Sequence, residues 1–213
     1  MKERILFSLW IVVGFFLGSV MFCRLLPKWI LKKDIEQISE DGNPGAANVF
    51  LHCGIPMGML CLLLDMLKSF VPVYTAERVL NEGRIAFAAV MIAPVFGHAM
   101  GVFNHFHGGK CIASSFGEVL ALLPLTRVGL WLAGLYILFA GVVRIRPNRR
   151  CSILTYTLFG LISGSVLTVQ GKFSLALGFV GISAIAVLRH TQWFSTVPMS
   201  EHTDRKAGEA EVG

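Results

Sequence analysis

The residues with the most chemistry in them sit in one stretch, 94–115, PVFGHAMGVFNHFHGGKCIASS. It holds three histidines (His98, His105, His107), the pair Gly108-Gly109, and Lys110, the only formal charge between Arg84 and Glu118. An ammonium beside two glycines suits an oxyanion such as phosphate. Glycine lets backbone N–H groups approach closely, and the lysine supplies a point charge. The same residues also describe a turn between two membrane helices with an interface-snorkelling lysine, and the GGK triplet alone does not separate the two readings. A second pair, Asp65 and Lys68, is spaced i, i+3 inside an apolar run and can meet on one helix face. Charges within a membrane are expensive, so this pair is expected to face the interior of a bundle, as a functional or a structural ion pair. A third stretch, Gly42-Asn43-Pro44-Gly45-Ala46-Ala47-Asn48, is a small-residue turn with two carboxamides. Read as an ordinary loop, it leads into a helix capped by Asn48.

The elements that must position these groups are membrane helices. The 213 residues are 54% hydrophobic and only 15% charged, where a soluble domain carries roughly a quarter of its residues charged. Uncharged stretches recur at 5–23, 42–64, 85–109, 128–143, 151–171 and 173–188, and a span needs roughly 20 mostly apolar residues. The expected fold is therefore all-α: a polytopic membrane bundle of about seven transmembrane helices. The first apolar run is too long for a signal-peptide core and no small-residue cleavage site follows it, so it reads as a retained helix. Five scattered cysteines (Cys23, Cys53, Cys61, Cys111, Cys151) fit neither a disulfide framework nor metal-ligand spacing, and read as small packing residues. The net charge of +6 sits beside helix ends and reads as topogenic rather than as a nucleic-acid surface.

In chain order the expected helices cover 5–22, 49–73, a third segment ending near 96, a partial or tilted span over 111–124, then 128–143, 153–169 and 173–188. A polar loop is expected over 75–84. The membrane domain is expected over 1–197 and a polar, disordered tail over 198–213. Seven crossings put the first loop, the His/Gly/Lys segment, the RIRPNRR loop and the C-terminus on one side. Twelve of the 19 Lys and Arg lie there (Arg24, Lys28, Lys32, Lys33, Lys110, Arg144, Arg146, Arg149, Arg150, Arg189, Arg205, Lys206). By the positive-inside rule that side is cytoplasmic and the N-terminus is outside. The carboxamide turn and the His/Gly/Lys segment then meet on one face.

These residues resemble the bacterial acyl-phosphate:glycerol-3-phosphate acyltransferases of the PlsY type. The family's G-S-x-P-F, D-I-R and G-S-G-N-x-G-A-T-N are similar to Gly18-Ser19-Val20-Met21-Phe22, Asp34-Ile35-Glu36 and Asp41-Gly42-Asn43-Pro44-Gly45-Ala46-Ala47-Asn48. Its D-x-x-K matches Asp65 and Lys68. Its G-H and P-x-F-x-x-F-K-G-G-K-G-V-A-T resemble Gly97-His98, Phe103, Phe106 and the run from His107 to Ser114. Departures fall inside the motifs: Met21 for Pro, Glu36 for Arg, Asp41 for Ser, Ala47 for Thr, His107 for Lys and Cys111 for Gly. Near the end, Arg189-His190-Thr191-Gln192-Trp193 lacks the family's Asn. Glu36 and Asp41 put negative charge where the family binds phosphate, which costs affinity for an anion.

The resemblance implies transfer of a fatty acyl group from acyl phosphate to the 1-hydroxyl of glycerol 3-phosphate, giving lysophosphatidic acid and phosphate in phospholipid synthesis. It implies a multi-pass protein of the bacterial inner or plasma membrane among membrane lipids, with no metal, no cofactor and no nucleic acid, and it leaves protein partners unknown. Carried onto this chain, the catalytic residues are His98, Lys110, Asn43 and Asn48. The substrate-binding residues are Ser19, Gly42, Gly45, Gly108, Gly109, Asp65 and Lys68. Lys110 with the Gly108 and Gly109 amides would hold one phosphate. Asn43 and Asn48 would hold the other or polarise the acyl carbonyl, and His98 would orient a substrate or shuttle a proton. The departing phosphate can itself take the hydroxyl proton, so positioning carries most of the catalysis. His52, His105 and His190 read as interfacial, the RIRPNRR arginines as topogenic and headgroup-binding, and Glu118 as the partner of a nearby cation. Two other readings stand beside this one. One is a catalytically altered relative that uses another acceptor or only binds a lipid or partner. The other, more distant, is a small transporter with Asp65 and Lys68 as its translocating pair, although no internal repeat is present.

Overall fold

Each apolar segment picked out by composition is helical, and the breaks between segments are made by particular residues. The computed structural model describes residues 2–191 and is helical throughout, with no strand among the described residues. The expected boundary at 197, the tail over 198–213 and Trp193 lie outside the described residues. The helices are α1 Lys2–Gly18, α2 Phe22–Ile30, α3 Ile35–Ile38, α4 Ala46–Cys53, α5 Ile55–Val79, α6 Ala86–Met100, α7 Ile112–Ala121, α8 Leu130–Tyr136, α9 Asn148–Val169 and α10 Phe173–His190. A 3-10 turn, Val102–Asn104, follows α6, and a π-helical stretch, Ile137–Val142, continues α8.

Four helices (α5, α6 with its following turn, α9 and α10) are long and apolar enough to cross a membrane, and α1 with α2 makes a fifth, broken span bent by 42°. The remaining apolar helices are short. The 10 residues of α7 and the 13 of Leu130–Val142 rise only about 15 and 20 Å at 1.5 Å per residue, against a hydrocarbon core of roughly 30 Å.

Several expected boundaries move. The first helix stops at Gly18 rather than running to 22, and there α1 crosses α6 so closely that a side chain at 18 would strike the Pro94 backbone. Gly97 faces the Phe15 carbonyl from the other side of the same crossing, the small-residue packing that lets membrane helices approach. The helix expected over 49–73 is two helices. Gly54 at φ +84° turns the chain, and Pro56, lacking an N–H, sits in the first turn of α5. Asn48 does not cap; α4 begins at Ala46, two residues earlier. The loop expected from 75 is helical to Val79, where Thr75 donates back to Val71 O at 2.7 Å and Arg78 stacks over Tyr74 at 4.6 Å.

The core runs between α6, α9 and α10, with Phe87, Met91, Tyr156, Phe159 and Phe179 fully buried. At one end of the bundle Lys172 donates to Leu125 O at 2.7 Å, Ser174 donates to Glu82 O, and Arg84 pairs with Glu3 at 3.2 Å. The N-terminus and the turns around 82, 125 and 172 therefore share that end. The other end carries the strap from the α1 break to α4, the segment 101–111, the start of α9 and the end of α10. The carboxamide turn and the His/Gly/Lys segment thus do share one face.

Candidate active site

The His/Gly/Lys segment is a fold-back over the end of α6. Gly101, left-handed at φ +57°, closes the helix by donating its N–H to Gly97 O at 2.8 Å. The 3-10 turn follows, then His105 and Phe106, both at positive φ (50° and 64°). The chain returns antiparallel, and Gly109 N–H donates to His98 O at 3.1 Å. Gly108 lies against the Ala99 and His98 carbonyls, where no side chain would fit. From the last turn of α10, Arg189 Nε donates to Gly109 O at 3.0 Å and its Nη2 to Gly108 O. The glycine carbonyls are thus held from α10, and Lys110 emerges at the surface beside the strap.

There Lys110 meets the carboxamide turn. Its Nζ lies 2.5 Å from Asp41 Oδ2. Asp41 Oδ1 accepts from Asn48 Nδ2 at 2.8 Å and from the Asn43 N–H at 3.2 Å, and Asn48 Nδ2 also reaches Asn43 O at 2.8 Å. Gly42 supplies the left-handed turn at φ +60°, and a side chain at Gly45 would strike the Asn43 amide. Burial by itself raises the Asp41 carboxyl, but the Lys110 hydrogen bond and charge, with the Asn48 and Asn43 donors, outweigh it and hold the group below the usual carboxylate range. Glu36, the other added carboxylate, is likewise engaged. It pairs with Arg24 Nε at 3.0 Å and accepts from Asn104 Nδ2 at 2.6 Å.

One layer deeper, Asp65 and Lys68 pair at 2.9 Å with both side chains 2% exposed. Cys23 Sγ donates to Asp65 Oδ2 at 3.0 Å, and Lys68 Nζ donates to Val20 O at 2.5 Å, in the break between α1 and α2. Ser19 is buried there, donating to Phe15 O at 2.9 Å. The His98 ring is buried against Gly109, with Nδ1 unpartnered among the described residues. Between α1 and α6, an apolar cavity of about 400 Å³ is lined by Phe15, Phe16, Ile92 and Phe96 among others.

The sequence-derived residues therefore fall in two layers. Asn43, Asn48, Gly42, Gly45 and Lys110 meet at the surface, and Gly108, Gly109 and His98 lie directly beneath. Ser19, Asp65 and Lys68 hold the α1–α2 break. Sequence reasoning noted Asp41 and Glu36 only as departures and did not find Arg189, Arg24 or Asn104 as parts of the site. The signals for Arg189 were a basic residue at the end of α10 and its place in the stretch Arg189-His190-Thr191 that resembles the family's last motif. Three expectations are corrected. The Gly109 amide, expected to hold a phosphate, is taken up by His98 O, to which it donates at 3.1 Å. Glu118 is fully buried, and neither carboxyl oxygen has a partner among the described residues. His190 is not interfacial: it is 3% exposed, with Nδ1 2.7 Å from Ala186 O and its ring 6.4 Å from Tyr156.

This geometry has known relatives. The family model described as glycerol-3-phosphate acyltransferase matches residues 8–197. Glycerol-3-phosphate acyltransferase 2 of Thermotoga maritima is 30% identical over 182 residues, covering 85% of this chain and 87% of its own. Glycerol-3-phosphate acyltransferase of Myxococcus xanthus is 30% identical over 201 residues, covering 92% and 97%. Among solved structures, PlsY, an integral membrane glycerol 3-phosphate acyltransferase, superposes in its lysophosphatidic acid form with a TM-score of 0.72 at 27% identity, over 89% of this chain and 90% of that one. Its glycerol 3-phosphate form gives 0.71 at the same identity. A match to the family model over most of the chain, joined to the shared fold, means that the chain belongs to the glycerol-3-phosphate acyltransferase family.

Proposed function

We propose that this membrane protein transfers a fatty acyl group from acyl phosphate to the 1-hydroxyl of glycerol 3-phosphate, for phospholipid synthesis. Family membership supports the reaction class. The observation that carries the site assignment is the convergence of Lys110 Nζ, Asn48 Nδ2 and the Asn43 N–H on a single anionic group. Donors held on a surface this way suit a phosphate. The hydroxyl oxygen attacks the acyl carbonyl, the ester C–O bond forms, and the bond between carbonyl carbon and phosphate oxygen breaks. The departing phosphate takes the hydroxyl proton. Lys110 neutralises a phosphate, and Asn43 and Asn48 orient it or the acyl carbonyl. His98 stays beneath as a positioning residue, and the acyl chain lies in the apolar cavity between α1 and α6. Ser19, Asp65 and Lys68 fix the strap against that cavity.

The finer topology belongs to the same reading. Consecutive apolar helices run alternately between the two ends of the bundle, which supports seven crossings with α7 and α8 as short ones. The basic loops at the site end support a cytoplasmic site, an outside N-terminus and residence in the bacterial inner membrane.

The test is to incubate the detergent-purified chain with palmitoyl phosphate and labelled glycerol 3-phosphate. Lysophosphatidic acid and free phosphate are expected, and both should disappear in a folded Lys110→Ala variant. Full turnover in that variant removes Lys110 from the site. Because Asp41 and Glu36 already engage the nearby cations, a catalytically altered relative is the second reading. Absence of turnover in the folded wild-type chain would favour it.

A further inference from the structure

Asp41 stands where a ligand would. Three donors from two separate segments converge on its carboxylate: the Lys110 ammonium at 2.5 Å, the Asn48 carboxamide at 2.8 Å and the Asn43 N–H at 3.2 Å. Two of these, Lys110 and Asn48, are side chains that the proposed reaction assigns to substrate. The side chains of Asp41 and Lys110 are 45% and 35% exposed, so the pair is open to solvent and free to part. Asp41 lies in a turn rather than a helix and is joined to the strap by Gly42, which accepts a wide range of backbone angles. The neighbouring Glu36 does not compete for these donors, because Arg24 and Asn104 hold it.

We propose that the Asp41 carboxylate is a built-in competing anion: it occupies the phosphate cradle of Lys110, Asn48 and the Asn43 N–H, and a phosphate monoester must displace it to bind. This rests on the reading of Lys110 as a phosphate site. Asp41 is then a specificity-determining residue. It sets a threshold that only a multiply charged oxyanion with at least three acceptor oxygens passes, since a singly charged carboxylate ligand gains nothing by the exchange. When phosphate arrives, Lys110 and the two amide donors pass from Asp41 to the phosphate oxygens and the carboxylate swings into solvent.

The test uses the full chain in detergent, with inorganic phosphate and glycerol 3-phosphate as calorimetric titrants. The variants are Asp41→Asn, which keeps the shape, and Asp41→Ser, which shortens it. Both should bind either titrant roughly tenfold more tightly than the wild-type chain, the size of one lost charge-assisted competitor. The KM for glycerol 3-phosphate should fall in parallel, with kcat changed far less. Acetate should bind weakly to the wild-type chain and measurably to the variants. Unchanged or weaker phosphate binding in both folded variants overturns the proposal, and so does loss of the folded chain in both, which would assign Asp41 to the fold. Tighter phosphate binding without turnover in any form sinks the acyl-transfer reading and leaves the competing anion standing. Turnover with phosphate affinity indifferent to Asp41 does the reverse.

Discussion

Arg189 reaches from the last turn of α10 to two successive carbonyls, donating Nε to Gly109 O at 3.0 Å and Nη2 to Gly108 O. A planar fork with two parallel donors fixes the orientation of both peptide planes at once. A lysine, a single rotating ammonium, cannot. The glycine pair is thereby held from the final helix as well as from His98 beneath it.

Arg189→Lys is therefore expected to lower acyl transfer by roughly tenfold or more, since charged hydrogen bonds contribute about 1.5–3 kcal/mol each and 1.4 kcal/mol is one factor of ten. Amide exchange at Gly109 and Lys110 should speed up in the same variant. Unchanged exchange with unchanged activity would mean that the fork does not position the segment.

The buried Asp65–Lys68 pair makes a second prediction. Each single change, Asp65→Asn or Lys68→Met, strands a charge among apolar side chains, at a cost of about 3–5 kcal/mol. Lys68→Met also leaves Val20 O unmet in the α1–α2 break. The double change Asp65→Leu with Lys68→Met removes both charges and should destabilise by less than either single change. Thermal unfolding in detergent reads the difference, and additive losses would show that the two residues are not coupled.

Acid should loosen the strap through Asp41. Its folded value is depressed below the ordinary 3.8, so the ion pair contributes fully above that pH and is lost as the pH falls through the lower folded value. Lys110 is the charged group facing it. Protease accessibility of 39–48 should rise below about pH 4 in the wild-type chain, and Asp41→Asn, with no carboxyl to titrate, should lack that rise. Identical pH profiles in the two chains would mean that the pair does not hold the strap.

Much of this was legible in the sequence. Apolar length found every long helix, and the i, i+3 spacing of Asp65 and Lys68 gave their buried contact. Only the resemblance grouped Asn43, Asn48 and Lys110 as one site, and the three come together at the surface. What the sequence did not carry depended on neighbours far along the chain. Residue 18 is glycine because the Pro94 backbone lies against it, Arg189 belongs to the site because α10 ends over Gly108, and Glu36 is paired with Arg24 and accepts from Asn104. Read through the resemblance, Glu36 and Asp41 were two added charges where the family binds phosphate. In three dimensions Glu36 is held by Arg24 and Asn104 and Asp41 accepts from Lys110, Asn48 and the Asn43 N–H, a difference that no spacing rule contains.

The shortness of the helix Leu130–Val142 also reaches beyond the protein. Beside α5, whose 25 residues rise about 37 Å, the 13 residues of Leu130–Val142, most of them exposed, leave the bundle with one low wall. Lipids along that wall must compress to meet it, each ångström of mismatch costing a fraction of a kcal/mol. A bilayer that matches the long helices is thinned on that flank only, and lipids with shorter chains fit it at lower cost.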